Sequence, residues 1–203
     1  MEAQDTRAKI IETARRLFHE QGYHATGIST ILREADVNSG SLYHFFPSKE
    51  ALLIAVLEKY VDLLHPLVMG PAEAASNDPI ERIFALLAFY RQGLEMTGHK
   101  MGCPIGNLAL ELGDDHPDIR KLIHLNFTNW ATVIERWLDE AKDRLPPDFN
   151  RTDFSRFVLT VMEGGIMQAR AAQSLEPFDA SVRQLRAYVD GLLDKRRSTT
   201  GQT

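Results

Sequence analysis

Apolar residues recur at three- and four-residue intervals from one end of the chain to the other, and no stretch of more than a few residues alternates with a period of two. The pattern predicts an all-α protein. Near the start, Ile10, Ile11, Ala14, Leu17 and Phe18 share one face of a helix over residues 6 to 21, with Asp5 or Thr6 suited to cap it and Gly22 to end it in the left-handed conformation. Two short helices follow, over 28 to 35 and 39 to 45, separated by Asp36, Val37 and Asn38; Asn38 is suited to cap the second. Two short helices joined by a tight turn make a helix-turn-helix candidate.

Pro47 stops the third helix, and Ser48 opens a fourth that runs to about Leu64 before Pro66, Gly70 and Pro71 break it. Asp78 can cap a helix from Pro79 to about Met96, with Ile80, Ile83, Phe84, Leu87 and Leu94 inward. A short helix from Pro104 to Leu112 stops at Gly113, and Pro117 begins a long one reaching about Arg144, whose core stripe includes Leu122, Leu125, Trp130, Val133, Ile134, Trp137 and Leu138. The last two helices, over 152 to 174 and 178 to 195, form a hairpin, and Ser198 to Thr203 reads as a frayed polar tail. The expected architecture is about nine helices: an N-terminal three-helix headpiece (1–47), a larger helical domain (48–197) and a flexible tail (198–203).

Composition narrows the functional classes. With 203 residues, 44% of them apolar and spread along the chain, there is enough material for a packed interior. The longest apolar run, Ile83 to Tyr90, is eight residues, far short of the roughly 20 that cross a bilayer, so no membrane association is expected. The acidic start, Met1-Glu2-Ala3-Gln4-Asp5, is unlike a secretory signal and predicts a cytoplasmic protein. A single cysteine allows neither an internal disulfide nor a Cys-rich zinc site. No nucleophile elbow, phosphate loop or HExxH spacing occurs, and His116 and His124 stand eight apart, so catalytic residues, a metal and a cofactor are all expected to be absent. The balance of 23 basic against 28 acidic residues argues against nonspecific coating of nucleic acid but leaves local DNA contacts open.

The informative stretch is Gly22-Tyr23-His24-Ala25-Thr26-Gly27-Ile28, then Ile31, Val37, Gly40-Ser41-Leu42-Tyr43-His44-Phe45-Phe46 and Lys49-Glu50-Ala51-Leu52. In residue types and spacing, from about Arg7 to Leu57, it resembles the DNA-binding domain of the tetracycline-repressor (TetR) family of bacterial regulators. Two positions depart from the family pattern: Asp36 stands where glycine is usual in the turn, and Leu32 where alanine is usual. Aspartate tolerates the left-handed conformation better than most residues, so the turn can survive.

The residues support the same role physically. A helix of seven residues is unstable alone and must be braced; Leu42 with Phe45 can dock it on the first helix. That leaves Asn38, Ser39, Gly40, Ser41, Tyr43 and His44 free, a face without carboxylates that can enter a major groove. Thr26 and Lys49, at the starts of the second and fourth helices, flank it as phosphate holders, and at the matching positions the family grips the DNA backbone. The first sixty residues carry seven basic and eight acidic side chains, so affinity and specificity call for a homodimer on a pseudo-palindromic operator. The alternative reading is a helical dimeric ligand-binding or interaction module that does not read DNA.

By the same resemblance, two helices from each subunit form a four-helix dimer interface, here the C-terminal hairpin with Phe157, Val161, Gly165, Ala169, Ala172, Leu185, Val189 and Leu192; the hairpin could instead pack only within its own subunit. The middle helices resemble the family's effector-binding core. Phe84, Tyr90, Phe127, Trp130 and Met162 are its candidate apolar wall, and Asn107, His124, Asn126 and Gln168 its candidate polar groups, for a small molecule of unknown identity. Gly102-Cys103-Pro104, followed by Gly106-Asn107 and Glu111, resembles a subset of these regulators with Gly-Cys at this place, some of which respond to electrophiles or oxidants. A thiol beside a helix start, with His99 and Lys100 near in sequence, suits a lowered pKa; the plainer reading of Cys103 is a small buried side chain.

Overall fold

A computed structural model describes residues 2–112 and 116–200, and the described residues are helical with short connections and no strand. The elements are α1 (Glu2–Gln21), α2 (Ile28–Ala35), α3 (Ser39–Phe45), α4 (Lys49–Leu64), a π-helical turn (His65–Met69), α5 (Gly70–Ala75), α6 (Pro79–Met96), α7 (Pro104–Glu111), α8 (Pro117–Glu140), a 3-10 turn (Lys142–Arg144), α9 (Arg151–Ala172) and α10 (Glu176–Thr200). Counting α4, the π turn and α5 as one unbroken run leaves nine helices among the described residues.

That run corrects the expected break after Leu64. Pro66 and Pro71 each stand near the start of a new helical segment, where a missing N–H costs little, and the Gly70 N–H donates to the His65 carbonyl five residues back. The chain thus passes both prolines without leaving helix. Other ends also shift. Asp5 and Thr6 lie inside α1 rather than capping it, because Glu2, Ala3 and Gln4 are good helix formers. The long α8 stops at Glu140 and tightens into the 3-10 turn, while α10 continues through Ser198 to Thr200 where a frayed tail was expected. Residues 201–203 and the expected stop at Gly113 lie outside the described residues.

Capping chemistry sets the ends that matter. Gly22 at φ +89° ends α1, and Asp36 at φ 48°, ψ 54° closes α2, so aspartate does adopt the left-handed turn. Asn38 accepts the Ser41 N–H at 2.8 Å, Asp78 the Ile80 N–H at 2.9 Å and Asn150 the Asp153 N–H at 3.1 Å.

By packing, the chain divides into two compact units. The first joins Met1–Leu63 to Cys103–Asn126; the second joins Leu64–Gly102 to Phe127–Thr203. The expected boundary after Pro47 is therefore displaced: α4, α7 and the start of α8 belong with the headpiece. In this unit Ile10, Ala14, Leu17, Ile31, Leu42, Leu52, Val56 and Leu57 are buried. The Arg15 guanidinium lies 5.6 Å from the Tyr60 ring centroid, and Asn126 donates to the carbonyls of Leu122 at 2.9 Å and Leu57 at 3.3 Å, tying α8 to α4. In the second unit α9 and α10 pair along their length and both pack on α6. Trp137, Ile83, Leu87, Val158 and Phe178 are buried there, and Arg91 chelates Asp179 at 2.8 and 3.1 Å.

Candidate nucleic-acid interface and effector core

The reading helix α3 is held from below. Leu42 is fully buried and Phe46, the residue that caps the helix in an extended conformation, is almost so; the Phe46 N–H donates to the Leu42 carbonyl at 2.8 Å. Phe45, the expected second anchor, is only half-buried. The brace is Leu42 with Phe46, because the chain bends at the cap and swings Phe46, not Phe45, under the helix. Asn38, Ser39, Gly40, Tyr43 and His44 are exposed and Ser41 half-buried; Tyr43, at 53% exposure, is a large ring left in solvent.

The flanking positions divide. Thr26 is fully buried, and its hydroxyl donates to the carbonyls of Gly22 at 2.7 Å and Leu17 at 3.3 Å. It seals the C-terminal end of α1 and offers no hydroxyl to a phosphate, which corrects its expected role. The next residue, Gly27, caps α2 without a side-chain hydrogen bond, so the positive end of that helix is open. Lys49, the first residue of α4, is half-buried: its Nζ donates to the Tyr23 carbonyl and sits 4.2 Å from the centre of the Tyr23 ring. Burial lowers its pKa and the nearby Glu111 carboxylate raises it in part. The Tyr23 hydroxyl is pushed up, first by burial and then by Glu50 and Glu111.

Glu111, at the end of α7, is a participant that sequence reasoning noticed only as part of a motif. Its carboxylate accepts the backbone N–H groups of Tyr23 at 2.8 Å and His24 at 2.5 Å. His116 and Glu50 approach to 3.3 Å nearby, joining the start of α8 to α4.

The expected effector wall is partly assembled. In the second unit the Trp130 ring has Tyr90 at 6.2 Å and Phe127 at 5.6 Å, both edge-on, and Met162 is buried. Trp130 is 6% exposed and its Nε1–H has no hydrogen-bond partner among the described residues. Phe84 is covered instead by the Arg186 guanidinium, 3.3 Å from its ring centre, while Arg186 pairs with Glu81. Cys103 and Asn107 belong to the first unit. Cys103 is 2% exposed and caps α7, its Sγ accepting the Gly106 N–H at 3.4 Å, which favours the buried small side chain over an open thiol. Asn126 is spent on backbone carbonyls, and His124 and Gln168 are exposed.

Between α9 and α10 runs an open groove of about 910 Å³, lined by Phe157, Val161, Gly164, Gly165, Gln168, Gln184, Leu185, Tyr188 and Leu192 among others. The expected interface residues separate here. Gly165, Ala169, Leu185 and Val189 are buried within the protomer, Val161 and Leu192 half-buried, and Phe157 and Ala172 exposed. Tyr188, not expected, is exposed and lines the same groove as Phe157, and Met167, also not expected, is exposed elsewhere on α9.

Comparison with known proteins agrees with this architecture. Residues 10–56 match the family described as bacterial regulatory proteins, tetR family, and residues 79–184 match the LmrA/YxaF-like transcriptional regulator C-terminal domain. The chain belongs to the TetR family of transcriptional regulators, with a helix-turn-helix DNA-binding domain and a C-terminal ligand-binding domain. The HTH-type transcriptional regulator LmrA of Bacillus subtilis is 32% identical over 85% of this chain and 90% of its own length. The HTH-type transcriptional repressor NemR of Escherichia coli is 25% identical over 91% of this chain and 94% of its own. The crystal structure of reduced E. coli NemR superposes with a TM-score of 0.79, covering 90% of this chain and 96% of that one at 25% identity. A regulator from Cytophaga hutchinsonii shares the fold at a TM-score of 0.82 and 22% identity, covering 95% and 96%. These relatives are named as regulators, not enzymes, and no described helix is long and apolar enough to cross a membrane.

Proposed function

We propose that the chain is a cytoplasmic repressor that binds a two-fold symmetric operator as a homodimer and is released by a small, largely apolar effector. The exposed polar edge of α3 over a fully buried Leu42 carries this reading: the helix is anchored on one side while Tyr43, 53% exposed, stands in solvent on the other. Ser39, Gly40, Ser41, Tyr43 and His44 read base edges and phosphates, with Asn38 fixing the helix start. The open N-terminal end of α2 behind Gly27 takes the phosphate role expected of Thr26, and Lys49 takes a second phosphate.

Enrichment of specific genomic fragments by the purified protein, followed by gel shifts on the recovered site, tests this. Tyr43→Ala is expected to cost about 2–6 kcal/mol per dimer, roughly thirty- to twenty-thousand-fold in affinity, with helicity unchanged. Lys49→Ala should weaken binding and reduce the salt dependence by about two counterions per dimer. Recovery of no specific fragment would overturn the repressor in favour of a ligand-binding module.

The effector reading rests on the Trp130 Nε1–H, a buried donor that an acceptor on a bound apolar molecule would satisfy, with Tyr90, Phe127 and Met162 beside it. Binding acts by population shift, favouring a spacing of the two reading heads that does not fit the operator. Cys103, buried at the cap of α7, is expected to stay outside this response: N-ethylmaleimide should leave the wild-type protein and the Cys103→Ser variant on DNA alike, and release of the wild type alone would assign the thiol a sensor role.

A further inference from the structure

We propose that Glu111 is a positioning residue for DNA binding: by holding the backbone of Tyr23 it fixes where Lys49 stands at the operator-facing end of α4. The inference rests on the operator-binding reading above, including the phosphate role of Lys49. The ammonium of Lys49 is placed by a single residue, since it donates to the Tyr23 carbonyl and lies over the Tyr23 ring at 4.2 Å. A long lysine side chain is otherwise mobile, so its position is only as well defined as that of Tyr23.

Tyr23 stands between α1 and α2, outside any helix, and its backbone depends on a few contacts. Its carbonyl also accepts the Thr26 N–H at 3.2 Å, and its N–H goes to Glu111 at 2.8 Å; the next N–H, that of His24, goes to the other carboxylate oxygen at 2.5 Å. One carboxylate therefore clamps two successive amides by charge-assisted bonds, from a residue 88 positions away on α7. The approach needs Gly22, whose φ of +89° turns the chain and where a Cβ would stand 3.2 Å from Glu111 Oε2. The carboxylate bonds to the backbone and acts on the ammonium only as a neighbouring charge, which offsets part of the cost of burying it. The order of dependence is Glu111, then Tyr23, then Lys49. The clamp also gives α7, the helix that Cys103 caps at its other end, a direct hold on the turn leading into α2.

A double-mutant cycle on the full-length protein and its recovered operator tests the order of dependence. Glu111→Gln is nearly isosteric but turns an NH2 toward one of the two amides; it is expected to weaken operator binding about tenfold in an otherwise wild-type chain. In a Lys49→Ala background the same change is expected to cost less than about twofold, because the residue through which it acts is gone. Amide exchange at Tyr23 and His24 is expected to accelerate in Glu111→Gln while α1 stays protected; Glu111→Ala serves as a second variant, with all binding measured below each variant's melting temperature. Wild-type affinity in both Glu111 variants, or a full tenfold loss on top of Lys49→Ala, overturns the proposal. Wild-type affinity in Lys49→Ala alone instead removes the phosphate role of Lys49 on which the proposal stands.

Discussion

Phe46→Ala is expected to abolish operator binding and to cost about 3–5 kcal/mol of stability, whereas Phe45→Ala, next to it, is expected to cost far less. The difference follows from where each ring goes. The seven residues of α3 cannot form a stable helix alone, so its presence and its angle depend on what it is bolted to. Leu42 supplies one fully buried bolt. Phe46 supplies the other: its ring is buried, the Arg7 guanidinium covers it at 5.3 Å, and its own N–H closes the last turn on Leu42. Truncating it opens a cavity the size of a ring beneath the element that must present Tyr43 and His44. Phe45 keeps part of its surface in water, so its removal forfeits less burial and leaves no closed void. Urea denaturation followed by circular dichroism gives the stabilities, and gel shifts give the affinities. An equal or larger effect from Phe45→Ala would show that the helix rests on its side, not on its cap.

The same pair of residues shows what the sequence could and could not reveal. Within a helix the period of 3.6 assigns faces, and it placed Leu42 correctly; at the cap Phe46 adopts φ −135°, outside the periodic geometry, and a helical wheel has nothing to say about it. Local capping chemistry was legible for a related reason: Asn38 and Asp78 accept amides three and two residues on, Asp36 takes the left-handed conformation that ends α2, and such short-range geometry follows from residue type. Thr26 misled because a hydroxyl near a helix start suits a phosphate and an upstream carbonyl equally well, and only burial decides between them. The Glu111 clamp joins positions 88 apart with no pattern linking them, and so belongs to tertiary structure alone. The aromatic triad of Tyr90, Phe127 and Trp130 was legible as a group of large rings on facing stripes. That Phe84 turns to Arg186, and that Cys103 and Asn107 join the headpiece unit, was not.

Phe157→Glu and Tyr188→Glu are each expected to convert the dimer to monomers without loss of helix content. Small residues in the hairpin invite the idea that glycine and alanine let two subunits approach, yet the structure uses Gly165 internally. A Cβ there would stand 3.0 Å from the Phe178 ring and 3.4 Å from its Cα, so Gly165→Ala forces α10 off α9 and is expected to cost about 1–3 kcal/mol of protomer stability. The residues left to meet a second copy are the large ones. Phe157 is 46% exposed and Tyr188 52%, and the two bracket the buried Phe154, whose ring lies 6.0 Å from Phe157 and 5.9 Å from Tyr188. Rigid aromatic side chains beside an open groove are the usual anchors of such a contact. Two-fold symmetry doubles every change, so at about 2 kcal/mol per copy the dimer dissociation constant should rise on the order of a thousandfold. Sedimentation velocity across a concentration series reads that shift directly. Because a single head covers only one half-site, the monomeric variants should also lose the operator while their α3 remains intact, which separates this loss from that of Phe46→Ala, where the dimer persists and the reading helix does not.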